Sequence, residues 1–233
     1  MRQVLINADD LNYTPGINKA IGDLFEKGAI STTTAMMALA RPHIPAPGFL
    51  SKWRRKVGLH LQLSQGRPRT PLRRTDGRIV QAFPGRDDVA GFDPISVARE
   101  WDEQLRLFRS IFTNPPCRID SHHGVHNLDA YAPIASSMAE NLGRPMRGPE
   151  DAPDTVQAWT GQFLKAEALA EMIRGAAEKA DHATVIEVIT HPGLDNHQLR
   201  NIDSWQECRE NDYRELIRLK EEWTTMLPGF ELV

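Results

Sequence analysis

The stretch Arg118-Ile119-Asp120-Ser121-His122-His123-Gly124-Val125-His126 contains three of the chain's eight histidines. It follows a short apolar run and precedes a pattern of helical spacing, so we predict a short strand over 118–120 that ends in a histidine-rich turn. Neutral imidazole is the commonest metal ligand in proteins and titrates near neutrality. The stretch alone allows two interpretations, a solvated turn and a site that binds an ion or moves a proton.

Side chains of ligand or catalytic type also follow the carboxyl ends of other predicted strands. These residues are Asp9 and Asp10, His60, Asp120 with His122 and His126, Arg147, and His191. His60 is in phase with Gly58 and Gln62, so it lies on the face opposite the aliphatic residues of its strand. Adjacent aspartates such as Asp9 and Asp10 repel each other unless a cation lies between them, although a helix cap or a turn also favours Asp.

Predicted strands alternate with amphipathic segments along the chain. The strands cover 3–6, 31–39, 57–63, 118–120, 145–148 and 184–190, and the helices cover 17–25, 94–112, 128–141, 163–180 and 205–226. This alternation predicts an α/β fold, either a parallel barrel or a doubly wound sheet. The glycine-rich first turn of many doubly wound sheets does not follow Asp10, and a barrel builds its active site at the carboxyl ends of its strands. We therefore predict one barrel domain over 1–233.

The segment 65–93 is long, rich in Pro, Gly and Arg, and has little periodicity. So long a loop in a compact domain is usually functional or mobile, and we interpret it as a substrate-covering loop. Its basic run is interrupted by prolines and consists of Arg67, Arg69, Arg73, Arg74 and Arg78. A solvated surface is the first interpretation of this run, and an anionic ligand is the second.

Composition indicates a globular protein of ordinary polarity. The 233 residues are 40% hydrophobic and 25% charged, and the net charge of −3 gives no electrostatic footprint for nucleic acid. The two cysteines, Cys117 and Cys208, are too few for a disulfide framework. The apolar run at 4–6 is shorter than the core of a signal peptide, and no run approaches the ~20 apolar residues of a membrane span. We expect a reduced, cytoplasmic protein without a nucleic-acid or membrane partner.

Four ordered motifs resemble those of the YdjC-like carbohydrate deacetylases, a family related to the polysaccharide deacetylases. The motifs are Asn7-Ala8-Asp9-Asp10, Gly58-Leu59-His60-Leu61, Asp120-Ser121-His122-x-x-Val125-His126 and Thr190-His191-Pro192-Gly193. Shorter matches occur at Pro15-Gly16-Ile17-Asn18, Thr32-Thr33-Thr34, Gly66-Arg67-Pro68 and Arg209-x-x-Asp212. The resemblance extends along nearly the whole chain, and four motifs in order are far more specific than any one of them.

This resemblance implies a distorted, TIM-like (β/α) barrel of the glycoside hydrolase and deacetylase type. It implies a metal-dependent hydrolase that removes an N-acetyl group from an amino sugar or a short N-acetylglucosamine oligosaccharide. One divalent ion, zinc or magnesium, would bind Asp10, His60 and His122. A homodimer is also expected for such an enzyme.

Motif position implies the remaining roles as well. Asp9 resembles the general base and His191 the general acid, and Arg147 would orient the base. The residues implied in substrate binding are His126, Arg67 and Arg209.

The chemistry of amide hydrolysis agrees with these roles. Two histidines and one carboxylate leave coordination positions open, as a catalytic zinc site requires. A carboxylate can accept the proton of an attacking water, and an imidazolium can protonate the departing amine.

Two departures from the family pattern, together with the bare ligand set, keep other functions open. Leu11-Asn12 stand where the family commonly has Phe and Gly, and Gly124 stands where it usually has His. One alternative is a metal-dependent hydrolase of another amide, an ester or a phosphoester, since the same ligands would serve. A second is a metal-free glycosidase that uses Asp9 and another carboxylate. A third is a catalytically impaired sugar-binding protein.

Overall fold

The computed structural model describes residues 1–149, 152–157, 164–181, 184–194 and 206–233. The strands are β1 Arg2–Leu11, β2 Thr32–Met36, β3 Val57–Leu61, β4 Ile119–Ser121, β5 Thr155–Gln157, β6 Ile186–Thr190 and β7 Phe230–Leu232. The α-helices are α1 Pro15–Glu26, α2 Pro47–Trp53, α3 Pro94–Phe112, α4 Ala132–Leu142, α5 Ala166–Lys179, α6 Gln206–Glu221 and α7 Trp223–Met226. Short 3-10 helices cover Arg54–Lys56, Arg86–Gly91 and His122–Asn127.

Residue contacts divide the chain into two compact units. Unit 1 comprises 1–33 and 149–233, and unit 2 comprises 34–148. The single domain over 1–233 stays a prediction.

Parallel strand pairs connect the described elements, as the α/β prediction requires. Neighbouring strands follow the order β4-β3-β2-β1-β6-β5, and β7 also pairs with β1. In unit 1, β1 pairs with β6 from Val4 opposite Ile186 to Ala8 opposite Thr190. In unit 2, β3 pairs with β4, and His60 lies opposite Asp120. These registers bring polar residues of neighbouring strands to the same level.

The first strand is longer than the sequence predicted. The predicted strand ended at residue 6, whereas β1 continues to Leu11 and includes Asp9 and Asp10. The extension was missed because polar side chains in a buried strand contradict the apolar pattern. Asn7 makes the exception possible, since its side-chain amide donates to Asp9 Oδ1 at 2.6 Å.

Helix ends follow local capping rules. The Thr14 hydroxyl accepts a hydrogen bond from the Ile17 amide at 3.2 Å at the start of α1, with proline at the next position. The bounds of α3 agree with the prediction, and the Asp93 carboxylate caps it by accepting from the Ser96 amide at 3.0 Å. Ile95 is apolar but 64% exposed, and it lies in the first turn of this helix.

Apolar residues fill the interior of each unit. In unit 1 the largest fully buried side chains are Ile6, Leu11, Ile17, Ile21 and Leu24. In unit 2 the Trp101 ring meets Tyr131 edge to face at 6.2 Å, and Phe108 stacks on Phe112. Among the described residues, no helix is both long enough and apolar enough to cross a membrane.

The long segment 65–93 is fixed to α3 by a buried carboxylate. Glu100 accepts hydrogen bonds of 2.8 Å from the amides of Arg69 and Thr70 and from the Thr70 hydroxyl. Burial raises the pKa of Glu100 above its ordinary value, although these hydrogen bonds act in the opposite direction. The substrate-covering role of the segment stays a prediction.

The basic run within this segment is largely engaged locally. Arg74 lies over the Phe92 ring at 5.5 Å, and Arg78 pairs with Asp76 at 2.6 Å. Both interpretations of the run, a solvated surface and an anionic ligand, stay predictions.

Two Gly→Ala substitutions should change stability in opposite directions. Gly143 ends α4 with φ of 59°, whereas Gly175 lies inside α5, and an added Cβ would meet no atom within 4 Å at either position. Gly143→Ala should destabilise by about 1 kcal/mol because alanine is strained at positive φ. Gly175→Ala should stabilise by about 0.5–1 kcal/mol through helix propensity. Thermal unfolding would show midpoints shifted by roughly 2–4 °C in opposite senses, and equal shifts would contradict the assigned backbone conformations.

The pH dependence of stability should reveal the raised pKa of Glu100. A raised pKa means that the folded protein binds the proton more tightly, so this stabilisation is full below the ordinary pKa of 4.5 and is lost as pH rises through the raised value. Relative to the wild type, Glu100→Gln should therefore gain stability as pH rises above about 4.5. The control is Glu103→Gln, because a hydrogen bond from Arg106 lowers the pKa of Glu103. Denaturant titrations at several pH values would give the free energy of unfolding of each variant relative to the wild type. This difference should rise with pH for Glu100→Gln and fall with pH for Glu103→Gln.

Candidate functional site

Each unit carries a group of side chains of catalytic or metal-ligand type, and all of them are buried except His191, which is half-buried. The unit 1 cluster consists of Asp9, Asp10, His191, Arg209 and Asp212. The unit 2 cluster consists of His60, Asp120, His122, His126 and Arg147. Aspartate and histidine, residue types that can bind a metal, are therefore present in both clusters.

Parallel pairing of β1 and β6 brings Asp9 and His191 together in unit 1. Ala8 lies opposite Thr190, so each of the two residues follows the last paired position of its strand. The His191 Nε2 atom lies 3.8 Å from Asp9 Oδ2. Asn7 donates to the other oxygen of Asp9 and accepts a 2.6 Å hydrogen bond from the Thr32 hydroxyl. The Asp9 carboxylate is thus oriented by an amide that is itself oriented.

Arg209 connects the second aspartate to the loop after β6. Its guanidinium donates to Asp10 Oδ2 at 2.8 Å and to the His191 carbonyl at 3.3 Å. A Cβ on Gly193 would lie 3.2 Å from Ile17 Cγ1 and 3.3 Å from Arg209 Cβ, so glycine suits the close approach of this loop to α6. The backbone of Asp10 has φ of 70°, a conformation that costs about 1–3 kcal/mol and is typical of functional positions.

Asp212 lies one helical turn after Arg209 and holds the backbone of His191. Its Oδ2 accepts a 3.0 Å hydrogen bond from the His191 amide. Burial raises the pKa of Asp212 to about 7, while that hydrogen bond and the charge of Arg209 act to lower it. The sequence drew attention to Arg209-x-x-Asp212 only as a motif match and gave no role to Asp212.

His60 and Asp120 form the centre of the unit 2 cluster. His60 Nδ1 lies 2.7 Å from Asp120 Oδ1 and 3.2 Å from the Thr34 hydroxyl, and both His60 and Asp120 are almost fully buried. A Cβ on Gly58 would lie 2.6 Å from the Arg118 side chain and 2.8 Å from that of Thr34. Glycine at this motif position therefore allows β3 to pack closely.

Arg147 is the charge partner of an aspartate, and that aspartate is Asp120. Its guanidinium lies 2.8 Å from Asp120 Oδ2, and its backbone amide donates to the Ile119 carbonyl at 2.9 Å. The role of Arg147 in orienting the base, Asp9, stays a prediction. The sequence analysis named Asp120 among the ligand-type residues after strand ends and assigned it no separate role.

The histidine turn contains two consecutive residues in the left-handed region. His123 has φ of 58° and Gly124 has φ of 64°. The His123 ring lies 3.9 Å from the ring of His122, and its Nδ1 lies 3.0 Å from the Ser64 hydroxyl. Gly124, which stands where the family usually has His, therefore has a backbone conformation that favours glycine.

The three predicted substrate-binding residues differ in exposure. Arg67 is exposed, whereas His126 and Arg209 are buried. Both ring nitrogens of His126 have partners, since Nδ1 lies by the Ser121 hydroxyl and Nε2 lies 3.0 Å from the Arg147 carbonyl. Burial lowers the pKa of His126 and so favours its neutral form.

Curated relatives match the chain in part. A chitooligosaccharide deacetylase of Yersinia enterocolitica is 31% identical over 147 residues, which are 62% of this chain and 58% of that protein. The relative of the same name in Yersinia pestis is 33% identical over the same shares of the two chains. The matched region thus spans less than two thirds of the length of either relative.

Solved structures show the fold. A protein of Enterococcus faecalis V583, provisionally described as a cellobiose-phosphate cleavage protein, is 20% identical, with a TM-score of 0.80 over 100% of this chain and 97% of that one. At 20% sequence identity, this likeness concerns the fold alone. The prediction of a distorted (β/α) barrel of the deacetylase type, a parallel sheet with flanking helices, is confirmed.

A family model extends the comparison to almost the entire sequence. The model described as YdjC-like protein matches residues 3–225. All four motifs that carried the resemblance lie within this range, as do the members of both clusters. This protein therefore belongs to the YdjC-like family.

Proposed function

We propose that the protein is a metal-dependent hydrolase that removes an N-acetyl group from an amino sugar or a short N-acetylglucosamine oligosaccharide. Membership of the YdjC-like family and the deacetylase name of its Yersinia relatives support this function. The observation that carries the proposal is the Asp9–His191 pair, with 3.8 Å between Nε2 and Oδ2, beside a second buried aspartate. A carboxylate and an imidazole in this relation suit a base and an acid in one reaction.

A divalent ion would bind Asp10, His60 and His122. The set offers one carboxylate and two imidazoles, a chemistry that zinc accepts and that leaves positions for water and substrate. Arg209 donates to Asp10 Oδ2, a contact that would hold this carboxylate in place for the ion. Zinc and magnesium are the proposed ions, and an Asp/His₂ set suits several others.

The residues of unit 1 would carry the proton transfers. A bound divalent ion supplies Lewis acidity, which polarises a carbonyl and lowers the pKa of water. Asp9 accepts a proton from the water whose oxygen attacks the acetyl carbon. His191, as imidazolium, protonates the nitrogen when the C–N bond breaks, and the products are acetate and a free amine. General acid-base steps of this kind contribute ~10²–10⁴-fold to rate.

The neighbours of the acid and base would position them. Asp212 holds the His191 amide, and Arg209 joins Asp10 to the His191 carbonyl. Because Arg209 and His126 are buried, we propose that they act on substrate indirectly, Arg209 through Asp10 and His191 and His126 through Arg147. Arg67 is exposed and could contact sugar hydroxyls directly.

Metal analysis paired with an acetate assay tests the function. Purified protein should contain one divalent ion, and it should release acetate from short N-acetylglucosamine oligomers until a chelator removes the ion. Metal binding without acetate release would favour hydrolysis of another amide or ester. Chelator-resistant cleavage of the sugar chain would favour the glycosidase, and sugar binding without turnover would favour the binding protein.

Two substitutions in adjacent residues should separate catalysis from metal binding. Asp9→Asn should retain the ion and lose at least ~10²-fold in acetate release, because the amide cannot accept the water proton. Asp10→Ala should lose both the ion and the activity. Asp102→Asn, at an exposed position of α3, is the matched control and should behave like the wild type. Full activity of Asp9→Asn would exclude Asp9 as the base.

A further inference from the structure

Asp120 joins two unlike groups inside unit 2. One of its oxygens lies 2.7 Å from His60 Nδ1, and the other lies 2.8 Å from the Arg147 guanidinium. Asp120 is fully buried, and His60 and Arg147 are nearly so. A buried carboxylate in this position is costly unless both of its oxygens are paired, and here both are.

The hydrogen bond to Asp120 determines which nitrogen of His60 carries the proton. A carboxylate only accepts hydrogen bonds, so Nδ1 of a neutral His60 must be the protonated nitrogen. Nε2 is then the nitrogen with the lone pair, and it is the atom that would coordinate an ion. Without this hydrogen bond the ring could adopt the other tautomer or rotate.

Arg147 orients Asp120 in turn. Its guanidinium pairs with Asp120 Oδ2, and its own carbonyl accepts from His126 Nε2 at 3.0 Å. Its backbone amide is hydrogen-bonded to β4. The guanidinium is therefore anchored through its backbone on both sides, and it balances the charge of Asp120.

We propose that Asp120 is a positioning residue that fixes His60 in the Nδ1–H tautomer for metal coordination, and that Arg147 holds Asp120 in place. This inference rests on the proposed function, because it takes His60 as a metal ligand. In this proposal Arg147 supports a metal ligand, His60, through Asp120 within unit 2. Partners of this kind typically change metal affinity by about 10–100-fold when they are removed.

Two measurements test the proposal without an activity assay. The first is a long-range ¹H–¹⁵N correlation spectrum of the metal-free wild type, with the His60 signals assigned by their loss in His60→Gln. We expect the Nδ1–H tautomer. The second is the Kd of Zn²⁺ and of Co²⁺ for Asp120→Asn, which keeps the shape of the side chain but removes its charge. We expect binding about 10–100-fold weaker than in the wild type, and unchanged binding in the exposed control Asp102→Asn.

Three results would overturn the inference. An Nε2–H tautomer in the wild type would remove its basis even if Asp120→Asn did not fold. An unchanged Kd in folded Asp120→Asn would deny Asp120 any influence on the ion, and complete loss of binding would make Asp120 a ligand itself. Failure of the proposed function would appear differently, as wild-type protein that binds the ion and releases no acetate.

Discussion

Burial of carboxylates is the constraint on which the functional chemistry of both units depends. A carboxylate removed from water is destabilising unless a cation or several donors face it. Arg209 meets this requirement for Asp10 in unit 1, and Arg147 meets it for Asp120 in unit 2, each at 2.8 Å. The arginines do not only neutralise charge, because their other contacts fix where each carboxylate lies. Electrostatics and geometry are therefore supplied by the same side chains.

In Asp9 and in Asp120, the two oxygens of the carboxylate have different partners. Asp9 receives an amide hydrogen bond on one oxygen and faces His191 with the other. Asp120 likewise divides its oxygens between an imidazole and a guanidinium. If Asp9 is the base, its carboxylate is already held on one side and requires little reorganisation at the moment of reaction.

The sequence predicted features that depend on local pattern and missed those that depend on register. The bounds of α3 were predictable because its amphipathic pattern is continuous and proline marks its start. The extension of β1 through Asp9 was not, because burial of a polar residue depends on Asn7, Thr32 and the neighbouring strand. The contact of His60 with Asp120 joins residues 60 positions apart, and nothing in their spacing shows that β3 and β4 bring them level. Motifs named many of the residues, but only the fold revealed their partners.

The division of unit 1 between the two ends of the sequence has a consequence for folding. β1 pairs with β6 and β7, which lie more than 180 positions later in the chain, whereas unit 2 is continuous over 34–148. Contacts of high sequence separation form slowly, because closing a long loop costs entropy before any contact rewards it. During synthesis the residues of unit 2 all emerge before β6 exists, so β1 must wait for its pairing with β6 and β7. The Asp9–His191 pair can therefore assemble only after most of the chain has left the ribosome.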